Sequence, residues 1–121
     1  MSIEDLKNRF KNFAINTAIL IKDLPKNTIN IAYCNQLIRS SSSGGANYRA
    51  ACRAKSTADF INKLKIVEEE IDESLFFLEL LQHFNNNHDS TFLKLLTEGK
   101  ELLTITVQSI KTSRLKQEKS K

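Results

Sequence analysis

Residues 37–60 read LIRSSSSGGANYRAACRAKSTADF, and this stretch decides the fold. The serines and glycines of residues 40–45 have the composition of a flexible linker, yet the segments on both sides have helical periodicity. The run contains no proline and no acidic residue, and Ile38 and Tyr48 flank it. We therefore predict that these small residues lie inside a helix, where they let other backbones approach closely.

Two adjacent glycines count against one continuous helix here. In a helix interior, Gly44 and Gly45 each cost roughly 1 kcal/mol relative to alanine, so a break at these residues is the alternative. Tertiary packing must offset that cost if the helix continues. The continuous helix is favoured because steps of three and four connect Tyr33, Leu37, Ser40, Gly44, Tyr48 and Ala51.

The remainder of the chain has the same helical spacing. Pro25 ends the first helix, Ser56 and Asp59 form a capping-box pattern that opens the third, and the polar run 85–90 predicts a turn before the fourth. Long helices joined by short connections are typical of an up-and-down antiparallel four-helix bundle, so we predict an all-α fold. The predicted helices span residues 3–24, 27–54, 57–84 and 90–111.

A chain of 121 residues matches one domain. We assign residues 1–111 to the bundle. The apolar pattern stops after Ile110, and residues 111–121 carry five basic residues against one acidic residue. Residues 112–121 are therefore predicted to form a basic, disordered tail.

The expected location is the cytoplasm. The N-terminus has no apolar signal segment, and no run approaches the roughly 18 apolar residues that cross a bilayer. Cys34 and Cys52 would lie about 27 Å apart on one helix, which is too far for a disulfide bond between them. Reduced thiols are the expected state.

The net charge of +4 hides a strong segregation. Residues 26–55 hold five basic residues and no acid, whereas residues 56–81 hold seven acids and two lysines. These charges either pair the helices, within or between subunits, or form a surface that neutralises phosphates. The candidate nucleic-acid residues are Arg39, Arg49, Arg53, Lys55, Lys111, Arg114, Lys116, Lys119 and Lys121.

No pattern predicts an enzyme, a metal site or a cofactor. Helical bundles hold di-iron with Glu-x-x-His motifs, but here Glu79 precedes His83 by four positions and His88 lies in a predicted loop. Two histidines and two cysteines offer little material for a nucleophile, a base and an orienting group. Gly44 and Gly45 are not followed by the Gly-Lys-Ser/Thr element of a phosphate-binding loop.

A set of residues between positions 36 and 81 resembles the pattern of a known protein family. Its members are Gln36, Arg39, Asn47, Tyr48, Ala51, Ser56, Asp59, Phe60, Lys63, Leu64, Glu70, Glu73, Leu78, Glu79 and Leu80. Together they resemble the four-helix-bundle proteins first noticed as products of intervening sequences within bacterial 23S ribosomal RNA genes. The sequence departs from the family at residues 47–51, where NYRAA replaces the more usual Asn-Ile-Ala-Glu-Gly.

The resemblance implies a homopentamer without established catalytic activity. Relatives include the accessory proteins of diversity-generating retroelements. The resemblance implies that these relatives contact reverse transcriptase and nucleic acid through a basic surface. Two functions stay open from the sequence. One is an oligomer that binds structured RNA or DNA electrostatically; the other is a protein-interaction module, for example an accessory subunit docking a reverse transcriptase.

Overall fold

The computed structural model describes residues 1–120, and these residues contain four α-helices and no strand. A single turn of 3₁₀ helix, Asn86–His88, lies before the last helix. The prediction of an all-α fold is confirmed. The helices are α1 (Ile3–Asp23), α2 (Thr28–Cys52), α3 (Thr57–Phe84) and α4 (Asp89–Lys119).

The four helices form a square in cross-section. α1 and α3 each pack against both α2 and α4, whereas the diagonal pairs are not in close contact within residues 1–120. Because the connections are short, successive helices run antiparallel. One end of the bundle therefore carries the starts of α1 and α3 and the ends of α2 and α4, and we call it the N-terminal end.

Side-chain caps set the helix starts. The hydroxyl of Ser2 accepts a hydrogen bond from the amide of Asp5 at 3.0 Å, and the Asp5 carboxylate accepts one from the Ser2 amide at 2.9 Å. Asn27 caps α2, and Ser56 caps α3 by accepting from the amide of Asp59 at 3.1 Å. These bonds satisfy amides that have no partner inside the helix.

The small-residue segment is helical throughout, as predicted. The buried hydroxyls of Ser40 and Ser74 lie 2.8 Å apart and join α2 to α3. A Cβ atom on Gly44 would lie 2.6 Å from Cδ1 of Ile71, closer than van der Waals contact allows. The absence of side chains at this point lets α3 touch the backbone of α2, which offsets the low helix propensity of glycine.

The core follows the predicted stripes and contains one aromatic residue of α1 stacked on one of α2. The rings of Phe10 and Tyr48 stack with centroids 4.6 Å apart. Thr17 is the exception in this apolar interior, since its hydroxyl is buried without a hydrogen-bond partner. The largest fully buried apolar side chains are Phe10, Phe13, Leu20, Leu37, Leu64, Val67, Ile71, Leu78, Leu81, Phe92 and Leu102.

The fourth helix is longer than predicted. It continues to Lys119, so residues 112–119, which we expected to be disordered, are helical. Ser113 is buried, and Lys116 lines the same groove as Thr57 at the start of α3. The end of α4 thus lies beside the first turns of α3. The buried position in this part of α4 is a serine, which an apolar pattern does not reveal. No helix within residues 1–120 combines the length and the apolar character needed to cross a membrane.

Candidate nucleic-acid interface

Seven of the nine candidate residues gather at the N-terminal end of the bundle. The last turns of α2, the α2–α3 connection and the last turns of α4 all reach this end, and the seven side chains they carry are exposed. They are Arg49, Arg53, Lys55, Lys111, Arg114, Lys116 and Lys119. Lys121 lies outside the described residues.

Arg39 lies apart from this group and binds acidic residues of α3. Its Nη1 donates to Glu70 at 2.9 Å and its Nη2 to Glu73. Arg9 does the same between α1 and α4, where its Nε donates to Glu98 at 3.0 Å. The Glu98 hydrogen bond raises the pKa of Arg9 above its ordinary value. Both arginines thus help to pair helices. Helix pairing is the alternative to phosphate binding that the segregation of charge along the sequence left open.

A groove between α1 and α2 is lined by four cationic side chains, and we call it the basic groove. Lys7 and Lys11 come from α1, and Arg49 and Arg53 come from α2. Its floor consists mainly of small residues, including Gly45, and its volume is about 400 Å³. The two lysines were not among the predicted residues, although their spacing of four matches that of the two arginines on the antiparallel neighbour.

The cations of the basic groove are mostly free of acidic partners. Lys7 forms an ion pair with Glu4 at 3.2 Å, one turn earlier in α1. For Lys11, Arg49 and Arg53, no ion pair occurs within residues 1–120. These three charges are available to a ligand or a partner.

A second group of cations surrounds the N-terminal end itself, and we call it the basic rim. None of its members has an ion-pair partner within residues 1–120, and none is aromatic. Two of them border a groove of about 390 Å³, the end groove, in which the ends of α2 and α4 meet the start of α3. The basic rim comprises Lys55, Lys111, Arg114, Lys116 and Lys119.

The groove between α3 and α4 has the opposite charge, and we call it the acidic groove. It is lined by Glu68, Glu69 and Asp72, with Lys65 as the single cation, and its volume is about 430 Å³. Since α1 and α2 form one side of the square and α3 and α4 the other, the acidic and basic grooves lie on opposite faces. Within residues 1–120, no three or more His, Cys, Asp or Glu side chains are grouped to hold a metal ion.

The two grooves lie at the same height along the bundle. A Cβ on Gly44 would contact Ile71 and approach Glu70, so this part of α2 lies beside that part of α3. Gly45, the next residue of α2, lines the basic groove, while Glu69 lines the acidic groove. The two grooves thus carry opposite charge at equal height on opposite faces of the bundle.

Aromatic side chains form a patch on the face between α2 and α3. The ring of Tyr33 lies 6.0 Å from that of Phe77 and 6.4 Å from that of Phe84, measured between centroids. Phe76 lies 5.4 Å from Phe77. Phe76 and Phe84 are 55% and 50% exposed, so much of this apolar surface faces solvent.

Comparison with known proteins agrees with this architecture. The family model described as 23S rRNA-intervening sequence protein matches residues 5–108. A solved structure of a protein of unknown function from the S23 ribosomal protein family of Bacteroides thetaiotaomicron has 32% sequence identity and a TM-score of 0.82. The alignment covers 92% of this chain and 99% of that one. No curated protein matches the chain.

Proposed function

We propose, from the premise that this chain belongs to the 23S rRNA-intervening sequence protein family, that it is a non-enzymatic protein that binds structured RNA or DNA electrostatically. The observation that carries the proposal is the basic rim. Five exposed cations from the α2–α3 connection and α4 share one end of the bundle, and none has an acidic partner within residues 1–120.

The chemistry of the basic rim suits phosphates rather than bases. Lysine and arginine bind the phosphate backbone by releasing its counterions, which gives affinity without sequence discrimination. None of the five rim residues is aromatic, so outside the end groove the rim offers bases no stacking platform. We therefore expect binding that depends strongly on salt and weakly on sequence.

The test is a titration of a structured RNA hairpin at low and near-physiological salt. A variant carries glutamine at four rim positions of α4, namely Lys111, Arg114, Lys116 and Lys119. The matched control carries glutamine at four exposed lysines elsewhere, namely Lys22, Lys26, Lys94 and Lys100, so the change in net charge is identical.

The rim variant should weaken binding by tenfold or more. It should also reduce the slope of log K against log salt by about 4, which is about one unit for each phosphate that the variant no longer neutralises. The control should retain most of the affinity. If the wild type does not bind at low salt, or if both variants weaken binding equally, the basic rim is not a nucleic-acid site.

The partner that best fits the two charged grooves is a second copy of the chain. The basic groove of one copy would face the acidic groove of the next, and such a head-to-tail contact closes a ring when the rotation between copies permits it. A pentamer is the expected size, from the family resemblance. This proposal assigns Arg49 and Arg53, two of the predicted nucleic-acid residues, to the contact between copies.

A ring of this kind would present the basic rim several times on one face. Weak individual phosphate contacts would then combine into higher avidity, without any new contact in each copy. Assembly and nucleic-acid binding therefore support each other in this proposal.

Light scattering tests the assembly. Glutamate at both Arg49 and Arg53 should reduce the mass towards that of a monomer. Further substitution of Glu69→Lys and Asp72→Lys should restore it, because two new lysines in the acidic groove then face the two new glutamates. A monomer mass for the wild type at micromolar concentration contradicts the proposal. So does an unchanged mass in the arginine variant.

A second candidate function is a protein-interaction module, for example an accessory subunit docking a reverse transcriptase. The aromatic patch favours it, since contiguous exposed apolar surface often marks a protein contact. Serine at Phe76 and Phe84 should abolish co-purification with such a partner and leave RNA affinity unchanged. A partner that remains bound to this variant would rule out the patch as the docking surface.

A further inference from the structure

The end groove has two cationic walls. Lys55 directly precedes the cap of α3, and Lys116 lies in the last turns of α4. Both line the groove, and neither forms an ion pair within residues 1–120. The positive charge is therefore available to an anion that enters between them.

A hydroxyl on a largely buried residue lines the same groove without a hydrogen-bond partner. Ser113 is 8% exposed, and its hydroxyl makes no hydrogen bond within residues 1–120. Elsewhere in α4, the hydroxyls of Thr97, Thr104 and Thr106 each donate to the carbonyl four residues earlier. Nearly buried polar side chains usually have a partner in native proteins. The free Ser113 hydroxyl thus points to a ligand.

The start of α3 adds amide donors to this wall. Ser56 and Thr57 line the groove, and the Ser56 hydroxyl accepts from the amide of Asp59 at 3.1 Å. The amide of Thr57 has no acceptor within residues 1–120. Free amides at a helix start carry partial positive charge and favour an anion.

The remaining wall is apolar. Ile3, Tyr48 and Phe60 line the groove beside the polar groups. Its volume of about 390 Å³ lies within the range of about 300–1,000 Å³ typical of small-ligand sites. A ligand that fits both walls combines a phosphate with a flat, largely apolar group.

We propose that the end groove binds the terminal phosphate of a nucleic-acid strand, with the terminal base against the apolar wall; the inference rests on the proposed nucleic-acid function. A phosphate monoester carries about −1.5 to −2 charges and three acceptor oxygens. An internal phosphodiester carries one charge and two free oxygens. A terminal phosphate therefore matches the groove better than an internal one does. Its partners would be the two lysine ammonium groups, the Ser113 hydroxyl and the Thr57 amide.

The experiment compares two RNAs of the same sequence, labelled at the 3′ end, with either a 5′-phosphate or a 5′-hydroxyl. Fluorescence anisotropy with the full chain at near-physiological salt should show roughly tenfold tighter binding of the phosphorylated RNA, the effect expected of hydrogen bonds to a charged group. Ser113→Ala should remove most of this preference while affinity for the 5′-hydroxyl RNA stays unchanged. Ser109→Ala, one turn earlier in α4 and outside the groove, is the matched control.

A competition assay distinguishes a strand end from free phosphate. At equal ionic strength, a nucleoside 5′-monophosphate should displace the 5′-phosphorylated RNA from the end groove at a lower concentration than inorganic phosphate does. Equal competition would mean that the groove recognises phosphate alone and would overturn the strand-end inference.

The remaining outcomes separate this inference from the proposed function. If both RNAs bind equally, or if Ser113→Ala leaves their ratio unchanged, the inference is wrong while nucleic-acid binding stands. If neither RNA binds at low salt, the proposed function is wrong and the strand-end inference falls with it.

Discussion

Asn30 and Asn85 exchange two hydrogen bonds inside the bundle. Each Nδ2 donates to the partner's Oδ1 at 2.9 Å, and both residues are buried. Asn30 Nδ2 also donates to the carbonyl of Pro25 at 2.8 Å, and Asn85 Nδ2 to that of Leu81 at 2.8 Å. The pair thus joins the α1–α2 connection to the end of α3. All the hydrogens of the two side-chain amides take part in hydrogen bonds.

Removing one partner of this pair should leave the other amide buried and unsatisfied. We expect Asn30→Ala and Asn85→Ala each to lower the free energy of unfolding by roughly 1–3 kcal/mol. The double variant should lose less than the sum, with a coupling energy of roughly 0.5–3 kcal/mol. Urea denaturation of the four proteins measures the cycle, and strictly additive losses would contradict a shared interaction.

The adjacent glycines of α2 should respond in opposite ways to substitution. Gly44→Leu should lower the free energy of unfolding by roughly 1–3 kcal/mol or more, because its side chain would overlap Ile71. A Cβ on Gly45 would lie 3.6 Å from Phe10, an ordinary contact. Gly45→Ala should therefore raise stability by about 1 kcal/mol through helix propensity. An unchanged melting temperature for Gly44→Leu would contradict close packing here.

The unpartnered hydroxyl of Thr17 should be a stability cost. Thr17→Val keeps the shape and removes the unsatisfied group, so the free energy of unfolding should rise by about 1 kcal/mol. Thr106 is the matched control, because it is also buried but donates to the carbonyl of Leu102 at 2.8 Å. Thr106→Val should be neutral or destabilising in the same thermal melts. A loss of stability in Thr17→Val would show that its hydroxyl has a partner.

Stability at alkaline pH should depend on Tyr48. Burial, followed by its neighbour Cys52, raises the pKa of Tyr48 in the folded state. The unfolded chain loses this proton near pH 10, so the stabilising contribution is complete below about pH 10 and is lost as pH rises beyond it.

Urea denaturation between pH 8 and 11 measures this effect. Tyr48→Phe should reduce the alkaline decline in unfolding free energy, whereas Tyr33→Phe should leave it in place. Equal declines in the wild type and in Tyr48→Phe would assign the alkaline sensitivity to other groups.

The sequence alone determined the local features of the fold. Capping at Ser2 and Ser56 and the end of α1 before Pro25 follow from backbone chemistry within a few residues. The predicted helix over residues 40–45 is also confirmed, because the three-four spacing continues through the glycines. These features depend on neighbours in the chain, which a single sequence displays.

The tertiary structure alone decided which distant charges meet. Arg39 is bound to Glu70 and Glu73 across a helix pair, whereas Lys7 and Lys11, outside the charge-rich segments, line the basic groove with Arg49. The helical extension to Lys119 likewise depends on where α3 begins. Each of these outcomes depends on the relative height and rotation of packed helices, since a change of either would bring different side chains together. Helical spacing specifies the buried stripe of each helix but not that relative placement.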